Sequence, residues 1–98
     1  MASPGAEETV ELRVTVQNRQ GLHARPSSML AETALKFEGT ELTLKRGKLE
    51  VNAKSIMELL MLEAACGTEL TLCARGPNAE KALQVIRELF ECQFNVEY

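Results

Sequence analysis

Residues 10–26 read VELRVTVQNRQGLHARP, and the change of pattern inside this stretch points to the fold class. Val10, Leu12, Val14 and Val16 alternate with Glu11, Arg13, Thr15 and Gln17, the period of a strand with one buried face. Asn18-Arg19-Gln20-Gly21 reads as a loop. Residues 24–37 then switch to helical spacing, with Leu30, Ala34 and Phe37 on one face and Ser27 and Ala31 beside them. Pro26 falls in the first turn, where its missing N–H costs nothing, and Gly39 is placed to end the helix.

The rest of the chain continues this mixture. Residues 41–45 and 48–52 read as a hairpin around Arg46-Gly47, with Leu42, Leu44, Leu49 and Val51 apolar. A short helix starts after Ser55, where Ser55-Ile56-Met57-Glu58 fits a capping box, and Gly67 stops it. Residues 69–74 form a fourth strand with Leu70, Leu72 and Ala74 inward. Gly76-Pro77 turns the chain, and Asn78 is an N-cap candidate for a last helix reaching about Cys92. Its apolar face is Ala79, Ala82, Leu83, Ile86 and Phe90. Residues 1–9, with Pro4 and Gly5, read as a disordered tail and residues 10–98 as one domain. The order β-α-β-β-α-β-α predicts an α+β open-faced sandwich, a four-stranded antiparallel sheet with three helices on one face.

Composition narrows the function. The 98 residues suffice for a single core. A net charge of −3 and only four aromatics, Trp absent, argue against a nucleic-acid binder. All fourteen acidic residues are Glu, which excludes Asp-based triads and EF-hand loops. His23 is the single histidine, which excludes zinc sites needing two; no metal or cofactor is expected. Cys66, Cys73 and Cys92 form no CxxC and read as free thiols used for packing in a reducing compartment. Without a signal segment or a membrane-length apolar run, the expected location is the cytoplasm, with no membrane insertion.

The chemistry centres on His23, between a glycine-containing loop and a helix start. A helix N-terminus offers unpaired N–H groups and a positive dipole end, which suit an anion. Arg25 adds a planar fork of donors for phosphate oxygens. Position alone leaves open a plainer reading, in which His23 caps the helix and Arg25 is solvated. Ser55 likewise is a cap, or a cap with a regulatory role. Lys45, Arg46 and Lys48 read as a solvated hairpin tip, and Met29, Met57 and Met61 as core or docking surface.

The string Gly21-Leu22-His23-Ala24-Arg25-Pro26 resembles the phosphoacceptor motif of the HPr family, the histidine phosphocarriers of the bacterial phosphotransferase system. Asn52-Ala53-Lys54-Ser55-Ile56-Met57 is similar to the family's second signature, and Gly67-Thr68-Glu69 and Gly76-Pro77 also match. The resemblance covers roughly residues 10–90 and implies the same fold. It implies a carrier, not an enzyme, with His23 phosphorylated on Nδ1 by Enzyme I at the expense of phosphoenolpyruvate. Arg25 would screen the phosphate, and an EIIA-type protein would receive it. Ser55 would be the target of an HPr kinase/phosphorylase. Ala24, Pro26, Ser28, Ile56, Met57 and Leu60 would form the docking surface of a monomer. Glu58 occupies a place often held by Gly in the family, and Glu63 falls where the sugar-transport members often have Gly. Leu59-Leu60-Met61-Leu62-Glu63 and Gly76-Pro77 resemble the nitrogen-branch paralogue NPr, whereas Lys54-Ser55-Ile56-Met57 resembles the sugar branch.

Overall fold

The alternation at the start of the chain forms β1, Thr9–Thr15, in a computed structural model that describes residues 9–96. The expected tail lies outside the described residues except for Thr9, which pairs with Arg75 and belongs to the strand. There follow α1 (Ala24–Leu35), β2 (Glu41–Arg46), β3 (Leu49–Asn52), α2 (Ile56–Met61), β4 (Glu69–Arg75) and α3 (Ala79–Glu91). The strands pair antiparallel in the order β1-β4-β2-β3. This is the predicted α+β sheet with three helices.

The core is built from the inward side of each period. Leu42 and Leu44 of β2, Leu70 and Leu72 of β4, Leu30 and Ala34 of α1, and Ala82, Ile86 and Phe90 of α3 are all buried. Each large side chain so buried contributes roughly 1.5–3 kcal/mol by removal from water. Leu49 departs from expectation. It stands at the hairpin end and is 38% exposed.

Several boundaries differ from the sequence reading for identifiable reasons. Arg46 pairs with Leu49, so the hairpin loop is Gly47-Lys48, with Gly47 at φ 60° in the first loop position, where a two-residue turn accepts glycine. Arg46 is no solvated tip. Its Nη1 donates to the carbonyls of Leu62 (2.6 Å) and Glu63 (3.2 Å), satisfying acceptors at the end of α2. That helix stops at Met61, well before Gly67, because Glu63 turns left-handed at φ 48°. A non-glycine residue there costs roughly 1–2 kcal/mol, which the tertiary bonds from Arg46 offset. Asn78 also sits at φ 62° and its side chain does not cap α3; its carbonyl instead accepts from Ala82 N at 2.9 Å. The preceding carbonyl, of Pro77, takes the Thr40 hydroxyl. Helix α1 ends two residues before Phe37, which is half-buried in the following turn.

After α3 the chain makes a feature that periodicity does not show. Gln93, Phe94 and Asn95 all have φ near 55°, and this left-handed turn drives Phe94 into the core with no exposed surface. Its ring meets Phe90 edge-on, with centroids 4.9 Å apart. All three cysteines are free, but only Cys73 packs; Cys66 and Cys92 are exposed. Burial, followed by the hydrogen bond to Glu11, pushes the Cys73 thiol up. No helix among the described residues is long and apolar enough to cross a membrane.

Candidate functional site

His23 is held by main-chain bonds on both sides. Leaving β1, Val16 N donates to Thr68 O (2.9 Å) and Val16 O accepts from Gly67 N (2.7 Å). The loop then reverses, with Gly21 N donating to Asn18 O at 2.9 Å. Gly21 has φ 78°, and a Cβ there would lie 2.5 Å from Ala64 O. Only glycine allows the two segments this close. The approach lets Leu22 N donate to Ala64 O at 2.8 Å and buries the Leu22 side chain. On the far side the buried Ser27 hydroxyl returns to Leu22 O at 3.0 Å.

Between these anchors His23 takes the N-cap position of α1, with extended backbone (φ −81°, ψ −167°). Its carbonyl accepts from Ser27 N at 3.0 Å, and it is half-buried. The helix therefore starts at the histidine, as the sequence reading requires. The first turn carries no acidic side chain, so nothing there offsets the positive end of the helix. Arg25 is exposed beside it. An imidazole at the N-cap, the helix-end amides and a guanidinium two residues on are groups of the kind that suit a small anion. Among the described residues no cluster of three or more His, Cys or Glu is arranged to hold a metal.

Asn18 is a contributor that sequence reasoning passed over as loop. Its side chain is fully buried, and Nδ2 donates to Gln93 O at 2.8 Å, 75 residues away along the chain. The phosphoacceptor-like loop is thus tied to the C-terminal turn. No local signal announces this bond, because its partner belongs to a distant segment.

The second signature forms the start of α2. Ser55 is the N-cap, its Oγ accepting from Glu58 N at 3.2 Å. Only half of the expected capping box exists. The Glu58 carboxylate accepts from Asn52 N (2.9 Å), while Ser55 N donates to Asn52 O (3.1 Å). Helix α2 packs beside α1 and leaves Ile56, Met57, Leu60 and Met61 exposed. Of the expected α1 docking residues, Ala24 is exposed and Ser28 half-buried. Pro26 is buried, so it offers little surface to a partner.

Residues 10–92 match the family described as "PTS HPr component phosphorylation site". The chain belongs to the HPr family. It is 42% identical over 84 residues to the phosphocarrier protein HPr of Treponema pallidum, covering 86% of this chain and 94% of that one. It is 38% identical to the phosphocarrier protein NPr of Shewanella violacea, covering 88% and 93%. A solved HPr from Thermoanaerobacter tengcongensis superposes with TM-score 0.85 at 34% identity, over 91% of this chain and 99% of that one. As an HPr-family member the chain is a phosphocarrier of the phosphotransferase system, and both HPr- and NPr-named relatives align along nearly its whole length. The match ends before Phe94, so the left-handed turn that buries this ring lies beyond the matched residues.

Proposed function

We propose that His23 accepts a phosphoryl group on Nδ1 from Enzyme I, charged by phosphoenolpyruvate, and passes it to an EIIA-type acceptor. The observation that carries this reading is the position of His23 at the N-cap of α1, half-buried and beside Arg25. Mixing the protein with Enzyme I and labelled phosphoenolpyruvate tests it. One acid-labile phosphate per chain supports the reading; no label refutes it.

Arg25 supports the transfer electrostatically. Charge builds on the phosphoryl oxygens between donor and acceptor, and a nearby guanidinium is worth more there than in the resting state. Arg25→Ala slows transfer by on the order of tenfold to a hundredfold. Being exposed, Arg25 contributes little to stability. Normal transfer with a large fall in melting temperature would make Arg25 structural instead.

Ile56, Met57 and Leu60, with Ala24 and Ser28, form the surface on which Enzyme I and the acceptor dock. Met57 is 77% exposed, and an apolar side chain so displayed is an anchor for a partner pocket. Met57→Ala weakens binding to Enzyme I by about tenfold; calorimetry showing unchanged affinity removes α2 from the interface.

Ser55 is a target for an HPr kinase/phosphorylase, with Glu58 as a brake. A phosphate would bring about −1.5 to −2 charges to the start of α2, where the Glu58 carboxylate already binds Asn52 N. Glu58→Gly therefore raises the rate of phosphorylation by a family kinase. Equal rates would acquit Glu58, and no labelling of either protein would leave Ser55 as a cap.

A second reading places the carrier in the nitrogen branch as a regulatory protein-binding module. The Leu59-Leu60-Met61-Leu62-Glu63 string and the NPr relative favour it. Faster transfer to a nitrogen-branch than to a sugar-branch EIIA would select it.

A further inference from the structure

Strand β1 has the sequence Thr9-Val10-Glu11-Leu12-Arg13-Val14-Thr15. Read from either end it is the same, except that Glu11 exchanges with Arg13, a residue of opposite charge. The strand lies at an edge of the sheet, with β4 on one side and no strand on the other among the described residues. From this self-complementary edge we propose that two copies of the chain associate by antiparallel pairing of their β1 strands about a two-fold axis at Leu12.

The register follows from the main chain. Val16 directs both its N–H and its C=O toward the β4 side, to Thr68 and Gly67. These directions alternate along a strand, and the pairing of β1 with β4 is unbroken from Thr9 to Thr15. Thr9, Glu11, Arg13 and Thr15 therefore point their amides and carbonyls away from the sheet. Pairing about Leu12 sets Glu11 against the partner's Arg13 and Thr9 against the partner's Thr15. All are residues whose outward groups are available, so each pair exchanges both main-chain hydrogen bonds. Leu12 meets the partner's Leu12 in the closer, non-hydrogen-bonded position.

The side chains agree on both faces. On the open face, Glu11 and Arg13 are exposed, and their ion pairs within the chain, to Lys45 (4.0 Å) and Glu69 (3.9 Å), are long. The two-fold gives each an oppositely charged cross-strand neighbour. On the helix side, Val10 and Leu12 are only partly buried and line a groove with Glu80, Leu83 and Gln84 of α3. The partner's partly exposed Leu12 would enter it, while Val14, buried in its own core, stays out of the contact. Any other register of the same two edges breaks the charge match or sets Leu12 against a polar residue. A single pair of short strands buries less than a standard interface, so association is weak and reversible, and the monomer expected from the resemblance is one end of an equilibrium. Helix α2 packs against β3, at the opposite edge, which leaves its exposed apolar residues open in the pair.

Sedimentation equilibrium of the full chain over a wide concentration range tests the proposal. The native protein shows a monomer–dimer equilibrium. Arg13→Glu and Glu11→Arg each place like charges opposite one another and weaken it by about tenfold. The double reversal, Glu11→Arg with Arg13→Glu, restores it, which a general loss of stability could not do. As a second measurement, Leu12→Cys combined with Cys66→Ser and Cys92→Ser gives a covalent dimer with diamide, since Cα atoms about 4.5 Å apart in such a pair suit a disulfide. A native chain that stays monomeric throughout, a dimer indifferent to the single reversals, or no rescue by the double reversal overturns the proposal. Each of these outcomes is independent of whether His23 carries phosphate.

Discussion

His23→Ala abolishes acid-labile phosphorylation by Enzyme I and phosphoenolpyruvate, while the fold survives. The loss is complete because His23 is the chain's one imidazole, and the guanidinium groups of Arg19 and Arg25 offer no lone pair to attack phosphorus. The fold survives because the main-chain anchors that shape the loop remain in the variant. Leu22 N binds Ala64 O, Ser27 Oγ binds Leu22 O, and Ser27 N binds the His23 carbonyl rather than its side chain. Alanine keeps that carbonyl and the extended N-cap backbone. Far-UV circular dichroism and a thermal melt of the variant should therefore stay close to native, within about 1 kcal/mol. Labelled phosphate retained on the variant in an acid-labile linkage would remove His23 from the mechanism.

Phe94→Ala has the largest expected effect on stability, a loss of about 3–5 kcal/mol, read from chemical denaturation. The ring has no exposed surface and packs edge-on against Phe90 at 4.9 Å. Its removal leaves a cavity in the core and takes away the packing that holds Gln93, Phe94 and Asn95 in their left-handed turn. That turn has little reason to persist without the ring. Its collapse releases Gln93 O from Asn18 Nδ2, which loosens the loop leading to His23. The variant should therefore also transfer phosphate more slowly at temperatures where it remains folded. A loss below about 1 kcal/mol would show that Phe94 is not part of the core.

Much of this protein was legible in the local pattern of residues. The alternation of Val10, Leu12 and Val14, the helical spacing of Leu30, Ala31 and Ala34, and the punctuation by Gly39 and Gly76 each report a local preference that packing then reinforces. The placement of His23 at a helix start came from the same source, since Pro26 in the first turn marks where a helix begins. The tertiary structure decided what depends on residues far apart in the chain. Arg46 looked like a solvated tip and is bonded to the end of α2, because the hairpin folds over that helix. Glu58 looked like half of a reciprocal cap and instead holds Asn52 N, because β3 ends beside it. Phe94 followed the last periodic helix and carried no pattern of its own, yet it completes the core from a turn of left-handed residues. Local sequence encodes period and punctuation, which act over a few residues. The partners of Asn18, Arg46 and Phe94 are chosen by the packing of whole elements, and no window of sequence contains both ends of those contacts.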